Sequence, residues 1–192
     1  MFAGHFGLAA AVKAREPELP IWSLIVASQL LDIVFIPLFL AGLETIEPIG
    51  TGSKEILIHA GYTHSLAGAL LISVAAGWLA RRKWGQRSGL VIALTVFSHW
   101  LLDLLVHRPD MPVLPGNWGN LPPLGFGLWQ WPAVSMMLEA SIILAGGYLY
   151  FRYAFFSGKE RKPLNKSRLR KKIMEGTMVG TLLILSFIFD NI

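Results

Sequence analysis

Residues 89–107 read GLVIALTVFSHWLLDLLVH, an almost unbroken apolar run interrupted by His99, Asp103 and, at its end, His107. A helix of that length rises roughly 28 Å, close to the hydrocarbon thickness of a bilayer. The stretch therefore reads as a transmembrane helix, and the fold class as an all-α integral membrane helix bundle. Ionisable groups are costly in such a setting, so each marks a functional site by default. His99 and Asp103 are four residues apart, on one face and one turn apart, where they offer a nitrogen and an oxygen to a single ion. His107 follows after four more residues, at the mouth of the same face.

Outward from this run, four further apolar stretches are long enough, or nearly so, to cross a membrane: Ile21–Leu43, Ile56–Ala80, Leu128–Phe155 and Ile173–Ile192. They predict five transmembrane helices in one transmembrane domain over residues 1–192. Phe2–Val12 is apolar but too short to span, and reads as a short partial or re-entrant N-terminal helix packed against protein. The composition agrees: 54% of residues are hydrophobic and 15% charged, against about 25% charged in ordinary soluble domains. The net charge of +5 resides in short connections, so it argues for orientation in a bilayer and against a nucleic-acid partner. The basic loops 81–87 and 157–172 belong in the cytoplasm by the positive-inside rule, in a multi-pass protein of the cell's inner (plasma) membrane. Trp22, Trp78 and Trp84 then fall near the inner boundary, and Trp118, Trp129 and Trp131 near the outer one. Lack of cysteine leaves only nitrogen and oxygen donors for a metal.

Counting from the outward ends of the spans, His64, His99, Asp32, Glu139 and Asp103 all lie roughly 6 to 17 Å deep at helical rise. His5 reaches a similar level if the first segment is helical. The site is thus expected toward the outer leaflet. The candidate ligands are His5, Asp32, His59, His64, His99 and Asp103. His59 and His64 are five apart, about 140° around a regular helix, so both can ligate only if the helix starts between them, which Gly61 permits. Glu139 is either a ligand or an acceptor for a histidine N–H. Neither His107 nor Glu139 is needed for a three-ligand minimum, so these two are the candidate general acid or base. Such donors suit one or two divalent ions, zinc first, with manganese or iron as alternatives. A site open to the outer leaflet admits amphiphiles, so the expected substrate is a phospholipid or similar lipid (phospho)ester, hydrolysed by a metal-activated water.

Taken singly, an intramembrane histidine also serves as an interhelical hydrogen bond, and Asp32 could pair with His5 or His99 without any metal. The rival functional reading is a non-catalytic metal-binding protein or a small ion or metal transporter. Transport predicts a polar stripe continuing to the cytoplasmic side, and the inner halves of the spans are almost purely apolar. The oligomeric state is not legible.

The strings His59-Ala-Gly-Tyr-Thr-His64-Ser and Ser98-His99-Trp-Leu-Leu-Asp103, with Gly4-His5 and Leu31-Asp32 ahead of them, resemble the signature of the YdjM-like family, bacterial inner-membrane proteins described as metal-dependent hydrolases. The resemblance spans about the first 110 residues. It implies a membrane-embedded metal-dependent hydrolase, and the motif order is also similar to that of zinc-dependent phospholipases C and single-strand nucleases, which implies phosphodiester chemistry. The chain departs from the family pattern at Val34, where a second acid is usual, at Ala60, where an arginine is usual, and at His107-Arg-Pro-Asp110, where Thr-Pro is commoner.

Overall fold

The computed structural model describes residues 1–50, 55–156 and 166–191. The protein is mostly helical, with α1 (Phe2–Arg15), α2 (Ile21–Ser28), α3 (Leu30–Leu40), α4 (Leu66–Trp84), α5 (Gln86–Val106), α6 (Pro132–Phe156) and α7 (Lys166–Asn191). Among the described residues, α5 and α6 are each long and apolar enough to cross a membrane, and the bent pair α2–α3 brings the count to three if it is one span. The apolar part of α7, Ile173–Phe189, is shorter, and α4 carries Arg81, Arg82 and Lys83 in its last turn.

At the centre lies α1, packed against α2, α5, α6 and α7. Lipid tails are as apolar as leucine, so helices in a membrane associate by close packing, and small residues permit it. The buried face of α1 holds Ala3, Gly4, Gly7, Ala9 and Ala10. A Cβ on Gly7 would stand 2.9 Å from the backbone oxygen of Ile142 in α6, a distance no side-chain rotation relieves. The same logic joins α4 to α5, where a Cβ on Gly77 would meet the Gly89 carbonyl oxygen at 2.8 Å.

Three expectations are corrected. The basic loop at 81–87 is a sharp corner: α4 ends at Trp84, α5 begins at Gln86, and Gly85 between them has φ +88° and ψ 173°, a region open essentially to glycine alone. Arg81–Lys83 instead end α4, where cations complement the helix dipole. Of the second basic loop, 157–165 lie outside the described residues, and 166–172 begin α7.

The apolar stretch from Ile56 is not helical at its start. Ile56–His59 forms strand β2, paired antiparallel with β1 (Thr45–Pro48) in the register Thr45↔His59. Two β-branched residues in alternation suit a pleated ribbon. The helix begins only at Leu66, where Ser65 caps it by accepting the Gly68 N–H at 3.0 Å. Further orphan donors of its first turn, the Leu66 and Ala67 N–H groups, go to the carbonyls of Pro112 and Val113 at 3.0 and 3.1 Å.

The run from Ile21 is likewise broken, by a 50° bend between α2 and α3. The Ser28 hydroxyl donates to the Ile25 carbonyl at 2.9 Å, the acceptor a regular helix reserves for the Gln29 N–H, and that N–H turns to Val26 at 3.2 Å. Serine competing in this way bends helices. The Gln29 side chain leaves for α1, donating to the Phe2 carbonyl at 3.1 Å.

Candidate metal centre

Four elements meet at one point. Helix α5 supplies His99 and Asp103 on one face, the bent pair supplies Asp32 in the first turn of α3, the segment ahead of α4 supplies His64, and α1 supplies His5. The Nε2 atom of His99 lies 3.1 Å from Asp103 Oδ2 and 3.5 Å from Asp32 Oδ1; His64 Nε2 lies 3.6 and 3.4 Å from the same two oxygens. The two Nε2 atoms are 3.4 Å apart. His107 Nε2 is 3.8 Å from Asp103 Oδ2, and His5 Nε2 is 3.2 Å from Asp103 Oδ1, which the Met1 amino group approaches to 3.0 Å. Two sets have donor atoms mutually within 4.8 Å: His5, His99 and Asp103, and Asp32, His64 and His99.

Hydrogen bonds on the far side of each ring decide which nitrogen faces inward with a lone pair. His99 Nδ1 lies 2.7 Å from the Ser28 carbonyl, which only accepts, so Nδ1 carries the hydrogen and Nε2 is bare in the neutral ring. The bend after α2 is what frees this carbonyl. His107 Nδ1 lies 3.0 Å from Asp110 Oδ1, with the same consequence. For His64 the chain is longer. Glu44 is buried, and its Oε1 accepts from the N–H groups of Tyr62 and Thr63 at 2.8 and 2.9 Å. Thr63 Oγ1, 3.0 Å from Glu44 Oε2, must donate to it, and at 2.9 Å from His64 Nδ1 accepts that N–H.

With the rings neutral, the three imidazoles aim bare nitrogens at two carboxylates, a convergence of lone pairs that a cation among them, metal ion or proton, relieves. The donor set, imidazole nitrogen and carboxylate oxygen with the outward N–H groups tied to a carbonyl, a carboxylate and a threonine hydroxyl, is one that could hold a metal ion. The residues fit a metal.

His5 differs from the other three. Its Nδ1 is buried with no hydrogen-bond partner, so its hydrogen sits on Nε2 and is donated to Asp103, while its ring stacks on His99 with centroids 3.8 Å apart. His59 does not reach the centre: it lies on β2, 48% exposed, with Nε2 3.4 Å from Glu47. Glu139 is fully buried, and its Oε1 accepts the Gly4 N–H in the first turn of α1 at 3.0 Å.

In the Thr63-His64-Ser65 string the three side chains divide the labour. Thr63 holds the ring, His64 faces the centre and Ser65 caps α4. The Trp100 indole fixes the backbone there by donating to the His64 carbonyl at 2.8 Å. Asp110, which is not among the candidates read from the sequence, has a buried carboxylate, held against His107 and accepting the Ile58 N–H at 3.3 Å. Its spacing of three from His107 was the available signal. Glu44 had none, because a hairpin brings it in.

The family model for the YdjM inner membrane protein matches residues 2–188. The chain belongs to this family. Membership makes it an inner-membrane protein and extends past the first 110 residues to include α6 and α7. No curated protein and no solved structure matches the chain.

Proposed function

We propose that this YdjM-family protein is a membrane-embedded metal-dependent hydrolase acting on a phospholipid or related lipid (phospho)ester. The observation that carries the reading is the convergence of bare Nε2 atoms from His64, His99 and His107 on Asp32 and Asp103. His64, His99, Asp32 and Asp103 would hold one divalent ion, or two with a carboxylate as bridge, zinc before manganese or iron. Such an ion supplies a hydroxide nucleophile near neutral pH and withdraws charge from a phosphoryl oxygen. The bare Nε2 of His107 would take a proton from the attacking water and return it to the leaving oxygen, while Asp110 keeps its ring oriented. His5 orients Asp103. Glu139 acts through α1, keeping His5 in place, in preference to the acid–base role its depth suggested.

Access supports a lipid-like substrate. Asp32 is 38% exposed while His64, His99 and Asp103 are nearly sealed, so the centre opens beside α3, whose Ile33, Ile36 and Leu40 face outward. Below the centre, Phe6, Ala10, Val179 and Leu183 form an apolar layer, which argues against passage of ions. In the same reading α2–α3, α4, α5, α6 and α7 make five crossings, α4 being accommodated by snorkelling of Arg81–Lys83. The Gly85 corner is cytoplasmic and the centre lies toward the outer leaflet.

Elemental analysis of purified protein tests the centre first. Stoichiometric metal in the wild type, lost in His64→Ala and Asp103→Ala, is expected; a wild type without metal sinks the proposal. Release of phosphate or headgroup from phospholipids in nanodiscs, abolished by the same substitutions, tests the chemistry. Metal without turnover on lipid phosphates and esters would leave a metal-binding protein and remove the hydrolase.

A further inference from the structure

At the end of the bundle remote from the histidines, α1, α2, α6 and α7 leave two adjoining cavities that share Ile21, Trp22 and Glu175. The first, about 340 Å³, is lined by Lys13, Tyr150, Tyr153 and Glu175. The second, about 710 Å³, runs between α2 and α7 past Ile25, Met178, Leu182 and Leu185, and its lining is almost wholly apolar. Lys13 is eight residues along α1 from His5, about 12 Å at helical rise, so neither cavity belongs to the metal centre.

The polar cavity is organised around a fixed cation. Lys13 Nζ donates to the carbonyls of Pro17 and Leu19 at 2.8 and 2.7 Å, which uses two of its three N–H bonds and holds the ammonium 5.9 Å from the Tyr153 ring centroid. The third N–H and the two phenols suit an oxyanion. Glu175 borders both cavities and supplies the opposite charge. Trp22, exposed at their junction, packs edge-on to Trp84 at 5.8 Å with Lys83 Nζ 5.6 Å from its ring centroid, the environment of an indole at headgroup level.

Among the described residues, Lys13, Glu175 and two phenols at the head of an apolar groove match a zwitterionic amphiphile. A carboxylate favours an ammonium that has N–H donors over a quaternary amine. We propose that this composite groove binds one bilayer phospholipid with a phosphoethanolamine headgroup, its phosphate on Lys13 and the tyrosine hydroxyls, its ammonium at Glu175, and an acyl chain along α2 and α7. The bound lipid would tie α7 to α2, and the site stands whether or not the centre hydrolyses anything.

The test uses the full chain in nanodiscs made of equal parts phosphatidylethanolamine and phosphatidylglycerol, with lipids retained after detergent extraction read by native mass spectrometry. The wild type is expected to retain one phospholipid, with the ethanolamine form in excess. Glu175→Gln should abolish that excess while retention persists, Lys13→Gln should lose retained lipid, and Leu182→Trp should lose it by filling the groove with the headgroup residues intact. Circular dichroism and thermal unfolding of each variant identify any that fail to fold. A wild type that retains no lipid or shows no headgroup preference overturns the proposal, as does unchanged selectivity in folded Glu175→Gln.

Discussion

The hydrogen bond on its outward nitrogen fixes how an imidazole faces a metal, and the three rings around Asp103 are each tied by a different acceptor: a helix-end carbonyl for His99, a carboxylate for His107 and a threonine hydroxyl for His64. Loss of such a tether typically costs 10–100-fold in metal affinity. Thr63→Val is therefore expected to weaken binding by about that factor, with Thr63→Ser close to wild type, in a chelator-competition titration. Equal affinity in Thr63→Val would remove Thr63 from the centre. Because the ligands bind metal only when deprotonated, bound metal should also fall on acidification, and occupancy independent of pH would contradict the histidine assignment. The four-residue spacing of His99 and Asp103 was legible in advance because one helical turn determines it. His59 was misplaced and Asp110 overlooked because their positions depend on a hairpin and a loop whose partners lie far away in sequence.

Helix α1 does more than fill a gap, for it carries His5 at one end and Lys13 at the other and touches four helices. Its approach to α6 depends on Gly7. Gly7→Val would drive a side chain into the backbone at Ile142 and Ile143, and overpacking of this kind costs about 1–3 kcal/mol. A lowered unfolding temperature with reduced metal content is expected, and wild-type values of both would show that the helix pair can part without consequence. Gly85→Ala should cost about 1–3 kcal/mol through backbone strain alone, since nothing lies within 4 Å of a Cβ there. Unchanged thermal stability would show that the corner relaxes. Apolar length announced most of these helices in the sequence. It could not announce the bend at Ser28 or the late start of α4, because both are set by hydrogen bonds that compete with the helix, to Ile25 and to the loop carbonyls of Pro112 and Val113.

For the molecule as a whole, the proposed orientation is open to direct measurement, since the chain has no cysteine of its own. Asn117→Cys is expected to react with an impermeant maleimide in intact cells with the outer membrane permeabilised, and Lys83→Cys only after the inner membrane is opened. The reverse pattern would place the metal centre toward the cytoplasm. Composition and periodicity by themselves determined that the chain lives in a membrane, that it is built of helices, and that His99 and Asp103 share a face, because hydropathy and helical spacing are local properties. Tertiary structure alone decided that His64, Asp32 and His5 join them, that His59 stays at the surface, and that Glu44, Asp110 and the Ser28 carbonyl orient the rings. Those outcomes turn on where separate helices cross and which backbone groups a bend sets free, and neither is a property of any one segment.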